Sequence, residues 1–198
     1  EFAALVTERL SAAGFRVVLS KSPTPSQTIS FTAWRRKLLG GVVVTASHNP
    51  AEYQGLKFST SNGAPAHPEV TKEIESYIAK RQAEQWSMKS AVIGTYQCKT
   101  IDPQPEYFKQ LRKLIDFSAI RKAKLKVGVE LMYGTGRGYL DKLLEDSGVK
   151  VTVFHNELNP LFGGHHPEPN AEGMAEVSKL VKSGKAQMGL GLDGDADR

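Results

Sequence analysis

Short apolar runs alternate with helical patterns in the first half of the chain. Residues spaced for one helical face predict helices over 2–13, from the loop at 23–26 towards Leu39, and over 68–85, and apolar runs predict strands over 15–19, 42–44 and 56–59. Gly14 ends the first predicted helix, and glycines 40 and 41 directly precede the second predicted strand. This alternation is typical of an α/β domain with a parallel sheet, in which functional loops gather at the carboxyl ends of the strands.

A second α/β unit follows a stretch in which the periodicity weakens, between Trp86 and Pro105. Its predicted helices lie near residues 107–115, 139–146 and 171–182, and its predicted strands cover 127–131, 149–154 and 188–192. We therefore place a domain boundary near Cys98, which gives domains at 1–97 and 98–198. The predicted fold class is α/β, with two consecutive α/β domains whose mostly parallel, mixed sheets are sandwiched by helices. Right-handed crossovers would bring the strand ends of the second unit side by side.

Composition excludes several classes of protein. The chain is 40% hydrophobic and has no apolar run of membrane-spanning length, so we expect a globular protein with no membrane partner. Cys98 is the only cysteine, which excludes an intrachain disulfide and favours a reducing cytoplasm.

Charge adds little to this picture. The net charge of +5 favours anionic partners. Basic residues crowd one region without interleaved aromatic residues to stack bases, so we predict a solvated helical face and no nucleic-acid partner. The basic residues are Lys109, Arg112, Lys113, Arg121, Lys122, Lys124 and Lys126.

A serine stands in the loop that follows the strand at 42–44. The loop has the sequence Thr-Ala-Ser-His-Asn-Pro, with Ser47 and His48 at its centre. A hydroxyl beside an imidazole is a candidate nucleophile, although neighbouring Ser and His residues seldom face each other as nucleophile and base. A turn or a helix cap explains the same residues. The pattern alone leaves these alternatives open.

Three carboxylates alternate along the loop that follows the last apolar run, at Asp193, Asp195 and Asp197. Closely spaced carboxylates repel one another unless a cation lies among them, and oxygen ligands suit Mg²⁺ or Ca²⁺. An EF-hand is excluded because Arg198 stands where that loop needs glycine and a strand precedes it where a helix is needed. A solvated acidic turn remains the alternative.

Two other loops of the second unit suggest chemistry but do not support it. The glycine-rich loop at 134–138, with Glu157 after the next strand, has one residue between its second and third glycines where a dinucleotide-binding fingerprint needs two. His165 and His166 have no cysteine or acid at zinc-ligand spacing. We assign no role to these histidines.

Together, three motifs resemble the α-D-phosphohexomutase family, which includes phosphoglucomutases and phosphomannomutases. They are Thr-Ala-Ser-His-Asn-Pro at 45–50, Gly-Leu-Lys-Phe at 55–58 and Asp-Gly-Asp-Ala-Asp-Arg at 193–198, in that order. The resemblance extends along the whole chain but not over the family's whole length. Members look like four-domain proteins, so the resemblance implies most of domain 1, without its first strand, and most of domain 2.

The resemblance implies a metal site built around a phosphoserine. Ser47 would carry the phosphoryl group, and its phosphoryl oxygen would join Asp193, Asp195 and Asp197 as ligands of Mg²⁺. The implied reaction moves a phosphate between the 1- and 6-positions of a hexose, with hexose 1,6-bisphosphate as intermediate and activator.

Three further residues acquire implied roles in catalysis. His48, Lys57 and Arg198 would transfer protons or contact phosphate. From the residues alone, Lys57 is better explained as an ordinary exposed strand lysine. Arg198 either binds phosphate or pairs with an aspartate.

The alternative is a catalytically incomplete fragment that acts only as a metal-binding, phosphate-binding or structural module. The resemblance implies that the chain lacks an upstream strand with an arginine loop and the C-terminal domains that hold the sugar hydroxyls and the distal phosphate. Remote binding energy positions the reacting group, so we expect the fragment alone to be inactive. The phosphorylated hexose partner is open between glucose, mannose and glucosamine phosphates, with residues 51–55 weakly favouring the first two. No oligomeric state is predicted.

Overall fold

A computed structural model describes residues 2–84 and 98–198 of the chain. Its helices are α1 (Phe2–Ala12), α2 (Ser26–Arg35), α3 (Pro68–Ala83), α4 (Gln104–Leu114), α5 (Phe117–Lys122), α6 (Leu140–Asp146) and α7 (Ala175–Lys182). Its strands are β1 (Val17–Ser20), β2 (Gly40–Val44), β3 (Leu56–Thr60), β4 (Cys98–Ile101), β5 (Lys126–Glu130), β6 (Lys150–Phe154) and β7 (Met188–Gly191). The expected helix end at Gln85 and residues 86–97 of the weakly patterned stretch lie outside the described residues.

The strands form small, mostly parallel sheets, which confirms the α/β fold class. In the second half, β5 lies between β6 and β7 and pairs in parallel with both. In the first half, β1 pairs in parallel with β4, whereas β2 and β3 form an antiparallel hairpin. Parallel pairing therefore predominates, as predicted, and the antiparallel pairing among the described strands is that of the β2–β3 hairpin. The domain boundary near Cys98 stays a prediction, since β4 begins at Cys98 but pairs with β1.

The central strand of the second half is buried because helices cover it. Val127, Val129 and Leu131 are at most 2% exposed. Gly128 and Gly189 lie under Val177 of α7, so the absence of a side chain on these glycines lets the helix pack close to the sheet. This packing fixes the carboxyl ends of β5 and β7 side by side.

Glu130 ends β5 with a carboxylate that is completely buried. Its Oε1 accepts a hydrogen bond from the backbone N–H of Met132 at 2.8 Å, and both of its oxygens lie 2.9 Å from Nδ1 of His155. Met132 and Tyr133 both have a positive φ, of 47° and 55°, a conformation that is unfavourable for non-glycine residues. The carboxylate thereby holds the turn after β5.

Several observed boundaries differ from the prediction for local reasons. Helix α2 ends at Arg35 rather than near Leu39, and α7 begins at Ala175 rather than at residue 171. Before α7, the side chain of Asn170 accepts hydrogen bonds from the backbone of Glu172 and Gly173, which holds a turn there.

Within the described ranges, no helix combines the length and hydropathy that a membrane span requires.

Candidate active site

The loop after β2 presents Ser47 in an unusual backbone conformation. Its φ is 59°, in the left-handed region, which costs a non-glycine residue about 1 kcal/mol. The backbone N–H of Ser47 donates to Oγ1 of Thr45 at 2.8 Å, and Asn49 N–H donates to the carbonyl of Ala46 at 3.1 Å. These bonds form a tight turn that directs the serine away from the end of the strand.

The acidic loop after β7 folds around one of its own carboxylates. Oδ1 of Asp193 accepts hydrogen bonds from the backbone N–H groups of Asp197 and Arg198, at 3.0 and 3.2 Å. The carboxylates of Asp193 and Asp195 are almost fully buried, at 0% and 1% exposure of their residues. At the start of the loop, Leu192 N–H donates to the carbonyl of Glu130. The loop is therefore anchored to the sheet.

The two loops meet, although they lie in different halves of the chain. Ser47 Oγ donates to Asp193 Oδ2 at 3.2 Å. Gly194 makes this approach possible, because a Cβ at that position would lie 2.6 Å from the carbonyl oxygen of Ser47. Gly194 N–H also donates to the carbonyl of Pro167, and its own carbonyl accepts from Thr135 N–H. The serine therefore lies against the aspartates.

Lys57 on β3 connects the serine with the other two carboxylates. Its Nζ donates to Asp195 Oδ2 at 2.9 Å and to Asp197 Oδ2 at 2.7 Å, and lies 3.3 Å from Ser47 Oγ. Burial acts to lower the pKa of Lys57, but the hydrogen bonds to Asp197 and Asp195 outweigh burial and raise it. Burial, with the charges of Asp195 and Asp197, raises the pKa of Asp193 despite its backbone hydrogen bonds. The site concentrates negative charge.

The aspartates fit a hard divalent cation. One carboxylate oxygen from each of Asp193, Asp195 and Asp197 can lie within 4.8 Å of the others. Asp195 Oδ1 is buried and has no hydrogen-bond partner among the described residues, and such an orphaned carboxylate oxygen needs a cation or a donor. A donor set made only of oxygens suits Mg²⁺.

His48 and Arg198 lie together at the edge of the site. A guanidinium nitrogen of Arg198 contacts Nδ1 of His48. Arg198 Nε lies 3.5 Å from Asp193 Oδ2, and Nη1 lies 3.9 Å from a carboxylate oxygen of Glu168. Arg198 thus pairs with an aspartate, which was one of its two interpretations. The structure brings all seven predicted site residues into one cluster. They are Ser47, His48, Lys57, Asp193, Asp195, Asp197 and Arg198.

Sequence reasoning missed the contribution of α2. The hydroxyl of Ser26 donates to Asp195 Oδ2, and the side chain of Gln27 donates to the carbonyl of Ala196. In the sequence, the only signal was a Pro-Ser pair at a helix start, which indicates a cap rather than a contact 169 residues away. His165 lies 3.5 Å from Glu172 and makes no hydrogen bond or ion pair with the serine and aspartate residues in the described ranges.

Comparison with family models identifies both halves of the chain. Residues 1–85 match the model described as phosphoglucomutase/phosphomannomutase, alpha/beta/alpha domain I, and residues 105–198 match alpha/beta/alpha domain II of the same family. These two matches cover most of the chain.

Individual relatives agree with the family models. The chain is 33% identical over 191 residues to phosphoglucomutase-1 of Homo sapiens, covering 82% of this chain and 33% of that protein. It is 31% identical over 201 residues to a phosphoglucosamine mutase of Alkaliphilus metalliredigens, covering 98% and 42%. A crystal structure of a protein from Thermus thermophilus, described as a phosphomannomutase, superposes with a TM-score of 0.87 at 32% identity, covering 100% of this chain and 44% of that one. The chain thus spans less than half the length of these relatives.

Proposed function

Because this chain belongs to the phosphoglucomutase/phosphomannomutase family, we propose that the protein containing it is a phosphohexomutase that works through a phosphoserine at Ser47. The observation that carries this proposal is the meeting of Ser47 Oγ with Lys57 and Asp193, at 3.3 and 3.2 Å. An ordinary turn serine has no reason to contact both a buried carboxylate and a lysine that pairs with two further aspartates. The predicted turn or cap interpretation of Ser47 leaves that contact unexplained.

The proposed transfer balances without an external reagent. The phosphoryl group leaves Ser47 Oγ as the Oγ–P bond breaks and an O–P bond forms to a sugar hydroxyl. The hydroxyl loses its proton and Ser47 Oγ gains one, so the serine returns to its free hydroxyl form. The hexose 1,6-bisphosphate then returns its other phosphoryl group to Ser47, so the sugar leaves as the isomeric monophosphate. Catalysis of this kind needs positioning and charge neutralisation more than covalent help.

We propose that three residues of the chain assist at the serine. Lys57 Nζ, at 3.3 Å from Ser47 Oγ, is within reach to donate a proton or a hydrogen bond to the oxygen that the phosphoryl group leaves. His48 and Arg198, which contact each other, supply a second polar cluster beside the serine loop. We propose that the planar guanidinium of Arg198 contacts phosphate and that His48 orients it.

We propose Mg²⁺ as the cofactor, held by Asp193, Asp195 and Asp197 with an oxygen of the phosphorylated Ser47. When bound, the ion would neutralise charge on the phosphoryl oxygens. The chain's own contribution is to fix these carboxylates: backbone N–H groups hold Asp193, and Lys57 and Ser26 hold Asp195.

A phosphorylated hexose is the proposed substrate, with a hexose 1,6-bisphosphate as activator. The names of the relatives refer to different sugars. The preference for glucose or mannose phosphate that residues 51–55 suggest therefore stays a prediction. A cytoplasmic location likewise stays a prediction that rests on the single cysteine. The idea of an inactive binding or structural fragment is less favoured, because buried carboxylates arranged around a serine suit chemistry.

The test is phosphorylation of Ser47. Peptide mass spectrometry of the intact protein should find one added phosphoryl group on the peptide that contains Ser47. Incubation with labelled glucose 1,6-bisphosphate and Mg²⁺ should label the protein, and Ser47→Ala should abolish that label. Ser61→Ala, which changes an exposed serine outside the site, is the matched control and should retain the label. Undiminished labelling of the Ser47→Ala variant would assign the nucleophile to another residue.

A further inference from the structure

Helix α2 begins with a serine that contacts the acidic loop twice. Ser26 Oγ donates to Asp195 Oδ2 at 2.8 Å, and Ser26 N–H donates to the backbone carbonyl of Asp195 at 3.1 Å. Ser26 is 8% exposed, so both bonds are shielded from water. The next residue, Gln27, donates to the carbonyl of Ala196. The first turn of α2 therefore binds Asp195 and Ala196, in the middle of the acidic loop.

The hydroxyl of Ser26 is not needed by its own helix. Helix caps use a side-chain oxygen to accept from backbone N–H groups, and the start of α2 has no such side-chain cap bond. Among the described residues, the hydrogen bond recorded for the Ser26 hydroxyl is the one to Asp195. Its role therefore concerns the acidic loop rather than the end of α2.

The two oxygens of Asp195 are thereby made different. Oδ2 receives hydrogen bonds from Ser26 Oγ and Lys57 Nζ, at 2.8 and 2.9 Å. Oδ1 is buried and has no hydrogen-bond partner in the described ranges. A carboxylate held through one oxygen in this way has a fixed orientation. Its other oxygen remains available to bind a ligand that the described residues do not supply.

We propose that Ser26 is a positioning residue that holds Asp195 for a divalent cation, and so links the first half of the chain to the metal site. This inference rests on the proposed function, because the cation is the one assigned to the aspartate cluster. Outer partners that orient metal-binding groups typically change metal affinity 10–100-fold when they are removed. Ser26 touches neither substrate nor metal in this scheme.

The experiment measures Mn²⁺ binding to the intact protein by electron paramagnetic resonance, with Mn²⁺ as a probe for Mg²⁺. In Ser26→Ala we expect the dissociation constant to rise about tenfold. Turnover at saturating metal should stay within about threefold of the original protein, since the chemistry of the serine is unchanged. Ser30→Ala changes a serine one turn further along α2 and should leave the dissociation constant unchanged.

A second variant keeps the test decisive if Ser26→Ala folds poorly. Ser26→Cys is nearly isosteric but offers only a weak S–H donor, so it should weaken Mn²⁺ binding in the same direction. An unchanged dissociation constant in both variants would overturn the inference. Loss of turnover at saturating metal with unchanged binding would also overturn it, because that pattern indicates a purely structural role.

The inference and the proposed function can fail separately. If the original protein binds Mn²⁺ and Ser47 is phosphorylated, but Ser26 variants bind as tightly, only the role of Ser26 is wrong. If the original protein binds no Mn²⁺, the metal site and the role of Ser26 are both wrong.

Discussion

At the scale of single residues, the buried carboxylates are the groups whose burial costs the most folding free energy. Glu130, Asp193 and Asp195 are each at most 1% exposed. A buried charge is tolerated only when hydrogen bonds, an ion pair or a metal compensates for lost hydration. Glu130 is compensated by a histidine and a backbone N–H, whereas the aspartates share Lys57, Ser26, Arg198 and backbone donors. Structural and functional acids thus differ in how completely they are satisfied.

Replacing Asp193 with asparagine should reveal the cost of its charge. Burial raises the pKa of Asp193, so its ionised form is less favourable in the folded than in the unfolded protein. That penalty is absent below the unfolded pKa of about 4 and grows as pH rises. We expect metal-free Asp193→Asn to unfold at a temperature equal to or above that of the original protein at pH 7, while Mg²⁺ no longer raises it.

Differential scanning calorimetry with EDTA and with Mg²⁺ checks this expectation. Asp146→Asn is the control, because Asp146 is an exposed carboxylate that pairs with Arg112 and Lys142 far from the site. Mg²⁺ stabilisation that survives in Asp193→Asn would contradict the assignment of Asp193 as a ligand.

Removal of the Glu130 carboxylate should destabilise the turn after β5. In Glu130→Ala the N–H of Met132 and Nδ1 of His155 lose their partner, and leaving the buried Met132 N–H unsatisfied costs about 1–3 kcal/mol. We expect the free energy of unfolding to fall by about 3 kcal/mol, measured by urea denaturation. Glu130→Gln keeps an acceptor oxygen and should lose about 1 kcal/mol. Equal losses in the two variants would show that the negative charge of the carboxylate matters, because both variants lack the charge whereas glutamine keeps the packing and an acceptor oxygen.

At the scale of elements, apolar runs located the strands of the second half well because each of these strands packs against a helix. The runs at 127–131, 149–154 and 188–192 correspond to β5, β6 and β7, within one residue at each end. Helix α5 was not predicted, because it has only six residues and depends on one capping aspartate, Asp116. Strand β4 was not predicted because its four residues have weak periodicity and form a strand only through pairing with β1.

The candidate site shows the same division between local and distant information. Ser47 and the three aspartates were predicted because they follow strands in short, distinctive motifs. Whether Lys57 was an exposed strand residue or part of the site could not be decided from sequence, since the decision depends on aspartates 138 and 140 residues away. Ser26 was missed for the same reason.

An ion pair between neighbouring elements gives a pH-dependent prediction. Lys21, just after β1, donates to Asp102 at 2.7 Å, just after β4, and lowers the pKa of that carboxyl, helped by the Gln104 N–H and opposed by burial. A lowered acid pKa stabilises the fold above the unfolded pKa of about 4, and the stabilisation disappears as pH falls through the folded pKa.

Asp102→Asn should therefore lose stability at pH 7 but not at low pH. Because the pair is partly exposed, we expect a loss of about 0.5 kcal/mol at pH 7. Urea denaturation at pH 7 and near pH 3 measures the difference, which should shrink as the carboxyl is protonated. A constant difference at both pH values would show that the hydrogen bonds of Asp102 do not depend on its charge.

At the scale of the whole molecule, the site is where the two halves of the chain meet. Ser47 and Lys57 come from the first half, and the aspartates come from the second. At Gly194 the two backbones approach closely, since a Cβ there would lie 2.6 Å from the Ser47 carbonyl oxygen. The relative position of the serine loop and the acidic loop therefore depends on this close backbone approach together with the side-chain contacts of Lys57 and Ser26.

Gly194→Ala should separate the serine loop from the aspartates. A shift of about 1 Å in a catalytic group can reduce turnover about 100-fold, and we expect a loss of that order in a mutase assay with little change in secondary structure. Gly184→Ala is the comparison: Gly184 has a φ of +74° but open space around it, so alanine should cost stability without affecting turnover. Full turnover in Gly194→Ala would show that the reaction does not depend on the close approach of the two loops.

The serine loop and the acidic loop are in contact but far apart in the sequence, which has a consequence for the synthesis of the protein. Ser47 and Asp193 are 146 positions apart in the sequence. At about 5–20 residues per second, a ribosome adds the aspartates roughly 7–30 s after the serine. During that interval the emerging chain carries its serine without the acidic loop, so a cation cannot stabilise it. The proposed Mg²⁺ would therefore stabilise only chains whose synthesis has passed Asp197, and it would not stabilise a chain that terminates before that residue.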